Sequence, residues 1–505
     1  MKRLLPTLIA CLLPALPAAG AQFNRPHVEA GSAVKVVESG GQRFTDHGLA
    51  GMGRLSAGTV DFLGDTLGSF SSLALDRASW KRVGDHYEGV LWTLPDRGRN
   101  DPGAGLFYDY AARLHRHRLR FTPSADPRIA GKLEIMPDGG IELRDFDGHP
   151  FTGADPGDGT VEQHGVLLPS PRQGIGAGKV SLDAESLQFT GDGHFYIGDE
   201  YSADVFFFDA KGRLRGVITP PDAVVPRTKG RIDFDSLHAP DSGRRNNQGV
   251  EGLSLSPDGT RLFVMLQSAL VQDSAIRPDD KDDASGRTAT RVLVYDTSHQ
   301  AVPSKPLGHY VVQLPSYDDK GDGGAVNRTA AQSEIRAIDN HRFLMLARDG
   351  NGLGTGNSKP IVYKSVLLVD TRAAGNLAGS RYETTTTSLL SSPASPALKA
   401  DIRPASSVEL INLLQPDQLA RAGMTLANDP ATPATLSEKW EAMDLVPALD
   451  PARPDDVFLF VGNDNDFIAR HCVMQGEACD SDFDNDNRIL LYRLALPAAA
   501  SLQAR

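Results

Sequence analysis

The fold is decided by Glu251-Gly-Leu-Ser-Leu-Ser-Pro-Asp-Gly-Thr-Arg-Leu-Phe-Val-Met-Leu-Gln267. Polar and apolar residues alternate up to the Pro257-Asp-Gly259 tip, and a very apolar run follows it. Alternating runs joined by an Asp-Gly tip are the strongest short-range signal of a β-hairpin. The stretch therefore predicts two antiparallel strands, the first of which begins with an acidic residue.

The same unit recurs along the chain. Three further copies begin with glutamate and a weaker copy begins with serine: Glu185–Glu200, Glu334–Asp349, Glu441–Asp464 and Ser71–Asp96. Additional apolar strands, such as Val205-Phe-Phe-Phe-Asp209, follow most copies. Four antiparallel strands in each repeat are typical of a β-propeller blade. The sequence thus predicts an all-β protein, a β-propeller with long inserted loops.

Blade number is read from the repeats. Five blades are visible and a total of six is favoured, with residues 132–151 supplying either the sixth blade or an insertion. The strand-like residues Val34–Val37 could complete the last blade and close the ring, which would remove exposed sheet edges. A pair of β-sandwiches would also fit the strands, but it would not explain the repeated acidic start.

Composition and charge narrow the function. The 505 residues include 64 Asp and Glu against 52 Lys and Arg, which gives a formal net charge of −12. Basic residues form no cluster beyond pairs such as Arg244-Arg245. Binding to nucleic acid requires clustered Lys and Arg to neutralise phosphates, so a nucleic-acid partner is not expected. The acidity fits a protein that holds cations.

The first residues indicate export. Met1-Lys2-Arg3 is followed by an apolar run to Ala18 and by Ala19-Gly20-Ala21, the pattern of a signal peptide over residues 1–21. A lipoprotein cleavage box ending at Cys11 is the alternative. No other stretch is apolar enough to span a bilayer, so we expect no transmembrane segment in the mature chain. We predict a periplasmic or secreted monomer with one domain over residues 22–505, whose core covers about 50–495.

Two cysteines remain after the predicted cleavage. Cys472 and Cys479 lie seven positions apart in a polar segment. Oxidation is favoured outside the cytoplasm, so a local disulfide is predicted.

The hairpin repeats predict where the acidic residues meet. An antiparallel hairpin brings the start of its first strand beside the end of its second. The expected neighbours are Glu185 with Asp199 and Glu200, Glu251 with Gln267, Glu334 with Arg348 and Asp349, Glu441 with Asn463 and Asp464, and Ser71 with Asp96. If the first strands are innermost, all these groups gather at one mouth of the central channel.

Carboxylates this close raise one another's pKa unless positive charge lies among them. The charge can come from a calcium ion with about six to eight oxygen ligands, from arginines such as Arg97, Arg336 and Arg348, or from protons. We favour calcium. Alternatively, each glutamate bonds to backbone amides of the neighbouring blade and only fixes blade spacing. A second acidic group, Asp464–Asp466 and Asp480–Asp486, is either a further calcium site or a solvated loop.

Several segments resemble a known family. They are Asn247–Gly259, Asp183–Leu187 with Gly198–Tyr201, and Gly462–Phe467 with Asn487–Tyr492. Together they look like the phytase-like family of bacterial exported proteins described as "esterase-like activity of phytase", over roughly residues 50–495. The resemblance implies a β-propeller and the hydrolysis of an ester or phosphate ester. By comparison with alkaline propeller phytases it also implies calcium ions that bridge substrate phosphates to a carboxylate-rich mouth.

Site roles are mapped by position from this resemblance. The implied metal ligands are Glu185, Asp199, Glu200, Glu251, Glu334, Glu441, Asp464 and Asp466. The implied catalytic residues are Glu251, Glu185, Arg336 and Arg348. The implied substrate-binding residues are Arg97, Asp96, Asp349 and Asn463.

These expectations lead to one function and two alternatives. We predict an exported, calcium-binding propeller hydrolase that acts on a small-molecule phosphate ester or other ester by metal-assisted hydrolysis. A propeller lactonase or sugar-ester hydrolase is the nearest alternative. The alternative from a different class is a non-catalytic envelope scaffold or binding protein, in which the acidic ring is structural.

Overall fold

The computed structural model describes residues 20–30, 34–276 and 284–497. Within these ranges helix is confined to two short α-helices and two 3-10 turns: Arg381–Thr384, Pro416–Arg421, Pro102–Ala104 and Val271–Asp273. The prediction of an all-β protein is confirmed. Residues 1–19, most of the predicted signal peptide, lie outside the described residues. No helix in the described ranges has the length and apolar content needed to cross a membrane.

Each predicted hairpin forms the first two strands of a four-stranded unit. We number the units 1 to 5 in the order of these hairpins. Unit 1 contains Ser72–Val83, His86–Leu94, Arg113–Thr122 and Gly131–Glu142. Unit 2 contains Ala184–Phe189, Phe195–Asp199, Val205–Phe208 and Leu214–Ile218. Unit 3 contains Val250–Leu255, Arg261–Leu266, Ala289–Asp296 and Gly308–Gln313.

The last two units follow the same plan. Unit 4 contains Ala331–Ala337, Arg342–Arg348, Lys364–Asp370 and Ser406–Asn412. Unit 5 contains Lys439–Pro447, Asp456–Asp464, Asn487–Ala495 and Gln42–Leu55, with Lys35–Ser39 on its outer edge. Shorter strands lie in the loops: Gln22–Phe23, Thr160–Gln163, Val166–Pro169, Arg227–Thr228, Arg231–Ile232, Ser316–Tyr317, Arg328–Thr329, Leu390–Ser392, Ser395–Leu398, Val473–Met474 and Glu477–Ala478.

The units form a closed ring. The first strand of each unit contacts the first strand of the next, and the first strand of unit 5 contacts that of unit 1. A separate cluster of buried apolar side chains fills each interface between neighbouring units. The fourth strands of units 5 and 1 also pair in parallel through Gly51–Gly53 and Gly131–Leu133, which joins these two units into one sheet. This arrangement of four-stranded antiparallel units around an axis is that of a β-propeller.

The ring is closed by strands from both ends of the chain. Gln42–Leu55 pairs with Asn487–Ala495, so the early strand completes the last unit. The strand predicted at Val34–Val37 forms as Lys35–Ser39, but it is not the closing strand. It pairs with the outer edge of Gln42–Leu55. Residues 131–142 form the fourth strand of unit 1. The prediction that residues 132–151 supply a sixth blade or an insertion is therefore wrong for residues 132–142.

One arginine occupies the axis of the ring. Arg336 is 2% exposed and contacts the first strand of every unit. Its guanidinium donates to four backbone oxygens, those of Leu73, Leu187, Leu253 and Ile335, at 2.7–3.3 Å. These oxygens belong to units 1 to 4, and the contact with unit 5 is an ion pair with a carboxylate.

Two buried carboxylates balance this arginine. Arg336 lies 3.1 Å from Glu334 Oε1 and 3.3 Å from Asp444 Oδ1 of unit 5. Glu334 also accepts from the Ser72 hydroxyl at 2.6 Å, and Asp444 accepts from the Leu75 amide at 2.7 Å. The two acids therefore tie units 4 and 5 to unit 1 around the same guanidinium.

Replacing Arg336 with Met is expected to destabilise the protein by about 3–5 kcal/mol. The change leaves two buried carboxylates and four backbone oxygens without their donor. Urea unfolding followed by tryptophan fluorescence would measure the loss. Arg128→Met, at a side chain that is 86% exposed, is the matched control. Equal unfolding midpoints for the two variants would contradict the role given to Arg336.

Candidate functional site

The acidic start of most repeats is the extra residue of a β-bulge. In the first strands of units 2, 3 and 5 the pairing skips one residue, namely Glu185, Glu251 and Glu441. A bulge bends the strand and re-aims the side chain of its extra residue. All three side chains line one cavity of about 940 Å³. Three units therefore deliver acidic groups to a shared opening.

Glu334 occupies a different place. In unit 4 the skipped residue is Ser333, so Glu334 corresponds to the paired residue after the bulge in the other units. Its carboxylate lies at the axis with Ser72 and Arg336 rather than in the cavity lining. Glu334 was predicted to occupy the same position as Glu185, Glu251 and Glu441. This prediction is wrong by one residue, because an alignment of the hairpin sequences does not show where the bulge lies.

Acidic residues outnumber basic ones around the cavity. Among the lining residues that the structure describes, the acidic ones are Asp96, Asp101, Glu185, Glu200, Glu251, Glu441, Asp466, Asp480 and Asp482. The basic ones are Arg97, Arg99, Arg348 and Lys439. Nine carboxyl groups against four cations favour a positively charged ligand over a bare polyanion.

Glu251 has one free oxygen at the cavity wall. The Gln267 side-chain amide donates to Glu251 Oε1, so the predicted neighbours are in contact. Glu251 Oε2 is buried and makes no hydrogen bond with the described residues. Burial, followed by the nearby Glu200 carboxylate, raises the pKa of Glu251 well above its ordinary value.

Glu441 is compensated by a cation. Arg348 was expected beside Glu334, but its guanidinium donates to Glu441 Oε1 instead. Burial alone would raise the pKa of Glu441, yet Arg348 and Lys439 outweigh it and hold that pKa below its ordinary value. Glu441 therefore carries a paired charge, unlike Glu251.

Two groups of three carboxylates share Asp96. One oxygen from each of Asp96, Asp183 and Glu185 lies within 4.8 Å of the others, and the same is true of Asp96, Asp464 and Asp466. Such oxygen-only sets are the ligands that calcium prefers. Glu200 adds a buried Oε1 without a hydrogen bond in the described structure. These residues fit a calcium site.

Burial and mutual repulsion dominate the protonation of these acids. Burial, then the Asp183 charge, raises the pKa of Asp96 to about 7. The same causes raise the pKa of Glu200 to about 8. Burial, then Glu251, raises the pKa of Glu185 well above its ordinary value. Burial and the like charges around them therefore favour the protonated forms of these acids.

Arg97 and Lys439 bring positive charge to the two groups of carboxylates that share Asp96. The Arg97 guanidinium lies 3.0 Å from Asp183 Oδ2, and Lys439 Nζ lies 2.6 Å from Asp466 Oδ1. Lys439 also lies 3.7 Å from Asp464. The cavity thus contains paired cations beside incompletely paired acids.

Besides Glu334 and Arg336 at the axis, four predicted site residues lie outside the cavity lining: Asp199, Asp349, Asn463 and Asp464. Asp199, Asp349 and Asn463 are each 0% exposed. Asp199 accepts from Ser202, Asp349 pairs with Lys364 at 2.6 Å, and the Asn463 side chain bonds to the backbone around it. Their polar atoms are occupied in stabilising the ends of the second strands.

Sequence reasoning missed Asp183 and Lys439 as site residues. Each stands two positions before a bulged glutamate, Glu185 or Glu441. Both charged residues stand next to the acidic start of a repeat, and this nearness in sequence is the signal that could have identified them.

The predicted disulfide is present. Cys472 and Cys479 are joined, with their Cα atoms 4.8 Å apart. The chain that follows, residues 480–483, lines the cavity. The disulfide therefore anchors one wall of the opening.

A family model matches most of the chain. The model of the Phytase-like family, "Esterase-like activity of phytase", matches residues 65–467. The chain is also 32% identical over 482 residues to an "Uncharacterized secreted protein" of Arthroderma benhamiae (strain ATCC MYA-4681 / CBS 112371), covering 86% of this chain and 90% of that protein.

Similarity to solved structures is slight. The PQQ-bound aldose sugar dehydrogenase of Streptomyces coelicolor is 12% identical with a TM-score of 0.24, covering 92% of this chain and 99% of that one. The WD40 domain of Toxoplasma gondii coronin is 10% identical with a TM-score of 0.27, covering 95% and 89%. Likenesses at this level say nothing about function.

Glu200→Gln is expected to stabilise the cation-free protein more at pH 8 than at pH 5. A carboxyl whose folded pKa is raised to about 8 contributes stability that is present below its ordinary value of 4.5 and lost as pH rises through 8. The gain relative to wild type should grow by about 1.4 kcal/mol or more, the value of one pKa unit. Urea unfolding in chelator would measure it, with the exposed Glu162→Gln as control. A gain independent of pH would contradict the prediction.

Proposed function

Since the chain belongs to the phytase-like family, we propose that it is a calcium-binding hydrolase of phosphate esters or other esters. The observation that carries the proposal is the cavity in which Glu185, Glu251 and Glu441 meet beside Arg97 and Arg348. In this proposal, each of the five units is one blade of the propeller. The protein acts outside the cytoplasm, periplasmic or secreted, which the name of the fungal relative supports.

Calcium is the proposed cofactor. Asp96, Asp183 and Glu185, with Asp464 and Asp466, would hold it. When bound, a calcium ion neutralises anionic charge on the substrate and makes a water molecule more acidic. The support lies in the oxygen-only donors and in the buried carboxylate oxygens without hydrogen bonds.

The chain's own side chains orient the ester and move protons. Arg97 and Arg348 bind the anionic oxygens of the scissile group. Glu251 accepts a proton from the attacking water, whose oxygen bonds to phosphorus or to the acyl carbon. The ester bond to the alcohol oxygen breaks, and Glu251 passes the proton it has accepted to the departing alcohol oxygen. Arg336, buried at the axis, is assigned to the fold instead of to substrate binding.

Glu251→Gln is expected to lower the rate of hydrolysis by at least about a hundredfold, because it removes the proton acceptor. The assay is release of inorganic phosphate, or of alcohol from carboxylic esters, in calcium and in chelator. Glu162→Gln, on an exposed hairpin, is the control and should keep the wild-type rate.

Other results of this hydrolysis assay would favour one of the alternative functions. Hydrolysis of lactones but not of phosphomonoesters would favour a lactonase. No hydrolysis across an ester and phosphate-ester panel, with calcium still bound, would favour a binding or scaffold protein. Hydrolysis that persists in chelator or in Glu251→Gln would contradict the proposed chemistry.

Asp96→Asn is expected to weaken calcium binding at least about tenfold, because Asp96 belongs to both groups of three carboxylates. Isothermal titration with calcium chloride would measure the affinity independently of activity. Asp126→Asn, at an exposed turn, is the control. An unchanged affinity would place the cation elsewhere.

A further inference from the structure

A second groove opens beside the acidic cavity. Its volume is about 470 Å³, and Gly354 and Phe483 line both spaces. The groove runs between two loops, residues 353–358 and 430–433, and the chain after the disulfide. A ligand that fills the acidic cavity can therefore extend into the groove.

The groove differs from the cavity in chemistry. Its apolar lining residues are Leu353, Pro430, Ala431, Pro433 and Phe483. Its charged residues are engaged with their neighbours: Arg54 pairs with Asp486, the Arg470 amide donates to Asp484 Oδ1 at 2.9 Å, and the Arg470 side chain donates to a backbone oxygen. The groove surface that these contacts leave available to a ligand suits an apolar group.

The walls at the junction are held in place. Leu353 donates to the Leu436 oxygen at 3.0 Å and accepts from the Glu438 amide at 3.0 Å. In the chain after the disulfide, the Asn485 amide donates to the Ile468 oxygen at 3.0 Å. A preformed groove costs little ordering when a ligand enters.

Gly354 keeps the junction open. Its φ of +125° is one that other residues rarely adopt, and a Cβ there would lie 3.1 Å from Glu438 and 3.2 Å from Asn485. A side chain at this position would also stand between the two spaces. Glycine suits this position because it adopts a positive φ without strain and leaves the passage between the two spaces open.

We propose that the groove binds the apolar part of a substrate whose scissile ester lies in the acidic cavity. This inference rests on the proposed function and names its substrate class: monoesters with an aryl or alkyl leaving group. A sugar carrying many phosphates would place anions against the nine acidic lining residues and into an apolar groove.

Binding of two non-hydrolysable phosphonates tests the groove. In calcium, 1-naphthylphosphonate is expected to bind at least about tenfold more tightly than methylphosphonate, because only the naphthyl group reaches apolar surface. Ala431→Trp, at an exposed position, should remove this preference and leave methylphosphonate binding unchanged. Ala373→Trp, on an exposed turn of unit 4, is the matched control and should keep the preference. Isothermal titration gives all the affinities.

The groove proposal is overturned if the wild-type protein binds 1-naphthylphosphonate no more tightly than methylphosphonate. It is also overturned if Ala431→Trp still binds the naphthyl compound more tightly. Hydrolysis separates this result from failure of the proposed function. If methyl and 1-naphthyl phosphates, or the corresponding acetates, are cleaved equally well, the protein is a hydrolase and only the groove proposal is wrong. If no ester is cleaved and neither phosphonate binds, both proposals fall. A preference abolished by Ala431→Trp supports the groove whether or not cleavage is seen.

Discussion

The ring depends on one guanidinium that five strands share. Arg336 reaches backbone oxygens of four units and the Asp444 carboxylate of the fifth. The planar fork of arginine presents five donors in fixed directions, which a lysine could not do. Because these contacts fill the axis, the acidic cavity lies above a packed centre, and the side chains at its floor are held by the same strands that close the ring.

Much of the fold could be predicted because its signals are local. An Asp-Gly tip between alternating runs specifies a hairpin wherever it occurs, and repetition specifies the architecture. The acidic first residue of the hairpins containing Glu185, Glu251 and Glu441 was also readable, since each lies at the start of a strand that must face the axis. Ring closure followed from the need to remove sheet edges.

The remaining features depend on register and on partners far away in sequence. A bulge moves the functional position by one residue, so Ser333 stands where Glu334 was expected. Whether a buried arginine serves the fold or the site depends on its neighbours. Arg348 faces the cavity and Arg336 faces the axis, although both lie in unit 4. Only the packed structure distinguishes such residues.

Closure by strands from opposite ends has a consequence for biosynthesis. Thr45 lies opposite Ala495, so the fourth strand of unit 5 cannot pair fully with the third until synthesis has reached residue 495. Contacts between such distant residues slow folding. A chain interrupted before residue 487 would leave two sheets with bare edges, which are prone to pair with other chains. The acidic opening is assembled at the same late step, because the carboxyl groups around it come from segments that only the finished ring brings together.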